Sequence, residues 1–198
     1  MTWVKVCGLT RAEDIAAAEA AGADAIGLVL VPESPRALTV DRAAELAGTV
    51  TTQAVLLTKD LLPEDVVAAA LAVGVDAVQI YGAHASEAAE MAAEVGLFVL
   101  RPIDIDFQLS LIPEAHVPLF DNHSGTNLGG TGLPFDHRRL PATDRRFVLA
   151  GGLGPDNVGA AIRATRPWGV DASSRLEARP GVKDHDLVAR FVREAKQA

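Results

Sequence analysis

The sequence predicts an α/β protein, with eight parallel strands closed into a single-domain (β/α)8 (TIM) barrel and a short or irregular fifth helix. Three observations lead there. Short apolar runs alternate with alanine-rich helical stretches along the whole chain, which implies parallel strands joined by right-handed crossovers. The alternation yields eight strands and about eight helices, enough units to close a barrel. The junction Ala21-Gly22-Ala23-Asp24-Ala25 recurs as Val73-Gly74-Val75-Asp76-Ala77, a repeated helix–turn–strand join. An open doubly wound sheet is the other architecture such alternation permits. No GxGxxG follows the first strand to favour it.

The elements follow in order. Trp3 to Cys7 reads as a strand, and Thr10, Glu13 and Asp14 open a helix through Ala21 that Gly22 closes. Asp24 to Val31 is a strand and Val40 to Gly48 a helix. Thr51 to Thr58 is a strand, and Pro63 to Val73 a helix stopped by Gly74. Asp76 to Tyr81 is a strand, Ser86 to Val95 a helix and Leu97 to Arg101 a strand. Ile105 to Pro113 has room for a short helix only. His116 to Asp121 is a strand, followed by a glycine-rich loop through Leu133. Arg146 to Ala150 is a strand, Pro155 to Thr165 a helix, Gly169 to Ala172 the last strand and Lys183 to Gln197 the last helix. No linker or low-complexity segment interrupts residues 1–198, so one domain is expected. The length of 198 residues is near the lower limit for this architecture and requires short loops.

Composition narrows the function. Hydrophobic residues make up 49% and charged residues 22%, which excludes a disordered chain. A net charge of −8 argues against general binding of nucleic acid or of an anionic membrane surface. One cysteine excludes an internal disulfide framework and a multi-cysteine metal site, so no metal is expected. No apolar run reaches the roughly 18 residues of a membrane span, and no signal peptide opens the chain. A cytoplasmic protein follows as the expectation, and a monomer, since no long apolar stripe is visible.

Polar residues in these apolar strands need a reason. Lys5 and Cys7 share one parity of the first strand. Gln79 and Tyr81 lie on the fourth, Arg101 ends the fifth, Asp121 ends the sixth and Asp171 lies on the eighth. Most sit near C-terminal strand ends, where barrel active sites form. Taken singly, each has a plainer reading: Lys5 in an interior ion pair, Cys7 as a small buried apolar residue, Asp121 as a helix cap. Together they read as a site. Two turns add a phosphate cradle: Gly151 and Gly152 after the seventh strand, Ser173 and Ser174 after the eighth. Glycines let backbone amides approach an anion, serines add hydroxyls, and these two loops are where such barrels hold phosphate.

Motifs from end to end carry a resemblance. They are Val4-Lys5-Val6-Cys7-Gly8-Leu9-Thr10, Val31-Pro32-Glu33-Ser34-Pro35-Arg36, Val78-Gln79-Ile80-Tyr81-Gly82 and Leu119-Phe120-Asp121. Gly129-Gly130-Thr131-Gly132-Leu133-Pro134-Phe135-Asp136, Ala150-Gly151-Gly152-Leu153 and Gly169-Val170-Asp171-Ala172-Ser173-Ser174 complete the set. The chain resembles the phosphoribosylanthranilate isomerase family of tryptophan biosynthesis. The resemblance implies a cofactor-free Amadori rearrangement of an aminoaldose phosphate to an aminoketose. It makes Cys7 the general base and Asp121 the general acid, and pairs Arg36 with the anthranilate carboxylate through a bidentate fork. Gly151, Gly152, Ser173 and Ser174 would hold the phosphate, with Asp171 receiving a sugar hydroxyl or supporting the site. The implied partner is a phosphorylated small molecule.

The roles set expectations for the environment. Cys7 needs a lowered pKa, with Lys5 the nearest candidate cation, and Asp121 a raised one. The loop from Asn122 to Leu133 would close over substrate. Tyr81 stands where the family has histidine, Leu133 where it has lysine or a similar residue, and Arg175 where it has glycine. Arg175 is expected to be tolerated or to point outward, with a guanidinium placed on the phosphate as the alternative. His123 and His137 read as loop residues. Two other functions fit less well: the histidine-pathway aminoaldose isomerase, whose first strand carries aspartate, and a barrel that binds a phosphorylated ligand without turnover.

Overall fold

The structure, a computed structural model, describes residues 1–121, 140 and 143–198. Eight parallel strands close into a barrel in sequence order: β1 (Trp3–Cys7), β2 (Ala25–Val29), β3 (Gln53–Lys59), β4 (Ala77–Tyr81), β5 (Phe98–Ile103), β6 (Val117–Phe120), β7 (Val148–Leu149) and β8 (Gly169–Ala172). β8 returns to β1 with Lys5 beside Asp171 in the register. The helices are α1 (Ala12–Ala20), α2 (Val40–Ala47), α3 (Pro63–Val73), α4 (Ala85–Glu94), α5 (Val158–Thr165) and α6 (His185–Gln197).

Local chemistry sets the helix ends. The Thr39 side chain caps α2 by accepting from the Arg42 N–H. Pro63 opens α3, and Gly74 ends it in the left-handed conformation. Asp184 caps α6, accepting from the N–H groups of Asp186 and Leu187.

The strict alternation of strand and helix expected from sequence is broken at two places. Six α-helices stand among the described residues, and β5 is followed only by a 3-10 turn at Leu109–Leu111, the short fifth helix expected there. That segment is held instead by Arg145, whose guanidinium donates to the carbonyls of Leu109, Ile112, Pro113 and His116. The glycine-rich loop after β6, with His123, Leu133 and His137, lies outside the described residues. The second departure is a hairpin between β8 and α6 that the sequence reading passed over. Its strands β9 (Glu177–Arg179) and β10 (Val182–Lys183) turn at Pro180-Gly181.

Strand parity sorts the core. Val4, Val6, Ile26, Leu28, Leu56, Val78, Ile80, Leu149 and Val170 pack outward against the helices. Ala25, Val55, Ala77, Leu100, Leu119 and Val148 fill the lumen. At the N-terminal end Trp3 stacks on Trp168 with centroids 4.9 Å apart, and the Arg146 guanidinium lies 3.8 Å from the Trp168 ring centroid. At the other end, Asp14 of α1 is fully buried. It accepts from Arg11, from the backbone N–H of Lys183 and from His185, which ties α1 to β10 and α6. The lumen is thus filled from below, and the side chains that carry chemistry face the C-terminal mouth.

Candidate active site

A pocket of about 640 Å³ opens at that mouth. It brings together the residues to which the resemblance gives roles: Cys7, Arg36, Asp121, Gly151, Gly152, Asp171, Ser173 and Ser174. Gln79 and Tyr81 line it too. Arg101 does not belong to it. Its guanidinium reaches the Ile80 carbonyl and the Ser86 hydroxyl, toward α4, because it falls on the outward parity of β5 with Val99 and Ile103.

Cys7 is 5% exposed at the end of β1. Gly27 of β2 makes room for it, since a Cβ there would lie 2.7 Å from Sγ. One turn of the pleat below, the fully buried Lys5 ammonium sits 2.9 Å from Asp171 Oδ2. Burial alone would pull the Lys5 pKa down, but the charges of Asp171 and Cys7 outweigh it and the net direction is up. The lowered thiol pKa expected from sequence is corrected. Burial pushes the Cys7 thiol up, and the attraction of Lys5 and Lys183 does not cancel it. Asp171 also works against the thiolate. Its Oδ1 is buried and meets no donor among the described residues, on a residue that lines the pocket.

On the β4–β6 wall, the Gln79 amide donates to the Tyr81 oxygen at 2.6 Å, and the Tyr81 hydroxyl is turned to Asp121 Oδ2 at 3.5 Å. Burial and then the Asp121 charge push the Tyr81 pKa well above the usual phenol range, so it stays a donor. Tyrosine therefore supplies a polar contact where the family pattern has histidine.

The turns after β7 and β8 complete the floor. Gly151 and Gly152 both take positive φ, 81° and 67°, a run that side chains other than glycine rarely adopt. Among the described residues, no hydrogen bond within the protein uses the backbone N–H of Gly151, Gly152, Ser173 or Ser174. Arg175, at a position where the family has glycine, leaves this floor clear. Its Nη2 meets both oxygens of Asp156 at 2.8 Å and its Nη1 donates to the Gly152 carbonyl. It points outward, as expected.

Arg36 reaches the pocket across Gly8, whose lack of a Cβ is required because that atom would collide with Arg36 Cδ. Its Nε and Nη2 are held by Glu177, at 2.6 and 2.8 Å. Glu177 and Lys183, 2.9 Å apart beside the pocket, are two residues that the sequence analysis does not single out. The signal was the Pro180-Gly181 turn, which folds β10 back on β9 and sets Lys183 beside Glu177. Among the described residues, no group of three or more His, Cys, Asp or Glu side chains converges as a metal site, and no helix is long and apolar enough to cross a membrane.

Comparison with known proteins agrees with this geometry. Residues 4–194 match the family described as N-(5'-phosphoribosyl)anthranilate (PRA) isomerase. A protein of that name from Rubrobacter xylanophilus is 41% identical, over 99% of this chain and 100% of its own length. A solved structure of monomers of the dimeric phosphoribosylanthranilate isomerase of Thermotoga maritima superposes with a TM-score of 0.84, at 31% identity, covering 100% of both chains. Another, with the same TM-score of 0.84 and 31% identity over 100% of both chains, holds reduced 1-(o-carboxyphenylamino)-1-deoxyribulose 5-phosphate. With its motifs, its barrel and its pocket in agreement, the chain belongs to the N-(5'-phosphoribosyl)anthranilate isomerase family.

Proposed function

We propose that this pocket converts N-(5'-phosphoribosyl)anthranilate to 1-(2-carboxyphenylamino)-1-deoxyribulose 5-phosphate, with Cys7 as general base and Asp121 as general acid. One observation carries the reading. A thiol on β1 and a carboxyl at the end of β6 line the same pocket, whose floor is made by the turns after β7 and β8. Proton transfer on a sugar needs a donor and an acceptor on different walls, and these two strands are not neighbours in the barrel.

The steps balance without a cofactor. Asp121 protonates the furanose ring oxygen, the ring opens, and the C1–N bond becomes a protonated Schiff base. Cys7, as thiolate, takes the C2 proton and the electron pair moves to give the enolamine. Tautomerisation places a proton on C1 and leaves the C2 ketone. Lys5 and Lys183 favour the thiolate electrostatically. Asp171 Oδ1 is placed to accept from a sugar hydroxyl, and the amides of Gly151, Gly152, Ser173 and Ser174 to receive the phosphate. Arg36 receives the aromatic carboxylate. Its Nε–Nη2 edge is occupied by Glu177, so the carboxylate meets the Nη1–Nη2 end.

The test is loss of anthranilate-type substrate fluorescence on adding purified protein, with the ketose product identified by mass and NMR. A saturable fluorescence change without product would replace this reading with ligand binding alone. A monomer in the cytoplasm remains part of the proposal. Exposed apolar side chains such as Leu71, Met91 and Phe107 come from three separate segments. Light scattering decides between one chain of 20.7 kDa and a dimer like the Thermotoga maritima relative.

A further inference from the structure

Glu177 stands between two cations. Its Oε1 is 2.6 Å from Arg36 Nε and 2.9 Å from Lys183 Nζ, and its Oε2 is 2.8 Å from Arg36 Nη2. The side chains are 4% exposed for Glu177, 12% for Arg36 and 0% for Lys183, so water does little to screen them. Lys183 also donates to the Ser173 carbonyl at 3.1 Å. We infer that Glu177 is a positioning residue for the aromatic carboxylate of the substrate: it fixes the Arg36 guanidinium at the pocket wall and leaves this buried trio with one net positive charge for an anionic ligand. The inference rests on the assignment of Arg36 made above.

Two physical arguments support it. An arginine side chain has several rotatable bonds, and a bidentate carboxylate fixes the plane of its fork before substrate arrives. The ordering cost is then met in folding rather than in binding. The second argument is a charge count. Arg36 and Lys183 without Glu177 would be two buried cations repelling each other. A second carboxylate on the trio would cancel the attraction for the substrate. Two cations and one anion hold together and still favour one more carboxylate. A glutamate one turn of a hairpin away from the phosphate floor thus sets the recognition of the aromatic end.

The experiment compares E177Q, R36M and the double variant, with circular dichroism to verify folding. Glutamine keeps the size of the side chain and an oxygen toward Lys183, so the Ser173 turn remains held. KM for the substrate reads both ends of the ligand, and competitive inhibition by inorganic phosphate reads the phosphate end alone. E177Q is expected to raise KM about tenfold or more, as loss of a charged hydrogen-bond partner does. It should change kcat less than KM, and the phosphate inhibition constant by no more than about twofold. In the R36M background, E177Q should add less than about twofold, because the two act as one unit. A normal KM in E177Q beside a raised KM in R36M would overturn the inference and leave the Arg36 assignment standing. A phosphate constant that rises in step with KM would also overturn it, since Glu177 would then be holding the β8 turn. An unchanged KM in R36M would overturn the Arg36 assignment and this inference together.

Discussion

Lys5 and Asp171 pair at 2.9 Å inside the barrel, side by side in the β1–β8 register and two residues below Cys7. The pair brings a positive and a negative charge to bear on the same thiol. The ammonium favours the thiolate, the carboxylate opposes it, and burial decides the outcome upward. In the free protein Cys7 is therefore a protonated thiol near neutral pH.

A pH dependence follows. Cys7 is the only cysteine, so alkylation by iodoacetamide reports on it alone. Its rate should climb with pH and show a midpoint above the ordinary thiol value of about 8.5. In the proposed mechanism the thiolate is the working form of the base, so a raised pKa moves the pH at which that form appears upward. Stability runs the other way. With the folded pKa raised, the unfolded chain loses this proton first, and stability falls as pH rises past the ordinary thiol value. The raised Lys5 pKa adds to the loss at still higher pH, as the ammonium that pairs with Asp171 is deprotonated. A midpoint well below 8 in the alkylation profile would show that the cations outweigh burial.

Tyr81 faces Asp121 with its hydroxyl and takes a hydrogen bond from Gln79. Tyr81→Phe removes both contacts and keeps the ring. It should lower kcat about tenfold, the scale of one hydrogen bond to a charged group, with a smaller change in KM. Tyr81→His should recover part of the loss. Steady-state kinetics on the three proteins checks this.

Arg175 is engaged by Asp156 and the Gly152 carbonyl on the outer side of the phosphate turns. Arg175→Gly should leave KM and the phosphate inhibition constant within about twofold, and cost no more than about 1 kcal/mol of stability, as partly exposed ion pairs do. A tenfold weaker phosphate constant would place the guanidinium on the phosphate.

Asp14 is buried beneath Arg11, His185 and the Lys183 backbone. Burial would raise its pKa, but these donors outweigh it and hold the carboxyl below the usual range. Its stabilisation is present above the ordinary carboxyl value and is lost as pH falls through the lowered one. Asp14→Asn should cost about 2–4 kcal/mol in urea unfolding at neutral pH and weaken the acid dependence.

Much of this was legible in the sequence because strand parity and strand ends are written in residue order. Cys7, Asp121 and Asp171 could be placed at the barrel mouth from their strands alone, and the Gly151-Gly152 and Ser173-Ser174 turns from their residue types. What was not legible depends on contacts distant in sequence. Glu177 lies 141 positions from Arg36, and nothing local marks the pair. The raised pKa of Cys7 is a balance among burial, Lys5, Asp171 and Lys183, and the last two reach the thiol from the far end of the chain. Arg101 sits near a strand end, but its outward parity on β5 turns it toward α4 and away from the site. The short turn after β5 was legible in the segment Ile105 to Pro113, but Arg145, which donates to its Leu109 and Ile112 carbonyls from more than 30 positions away, was not.

The most direct test of the proton-transfer pair is kcat for Cys7→Ser and Asp121→Asn beside the wild type, each shown to be folded, with loss of substrate fluorescence as the readout. Each substitution keeps the shape and removes the acid–base function. The account predicts losses of about 10²–10⁴-fold in each, with the phosphate inhibition constant unchanged. Turnover within a few-fold of wild type in either folded variant would contradict it and assign the proton transfer to another residue of the pocket.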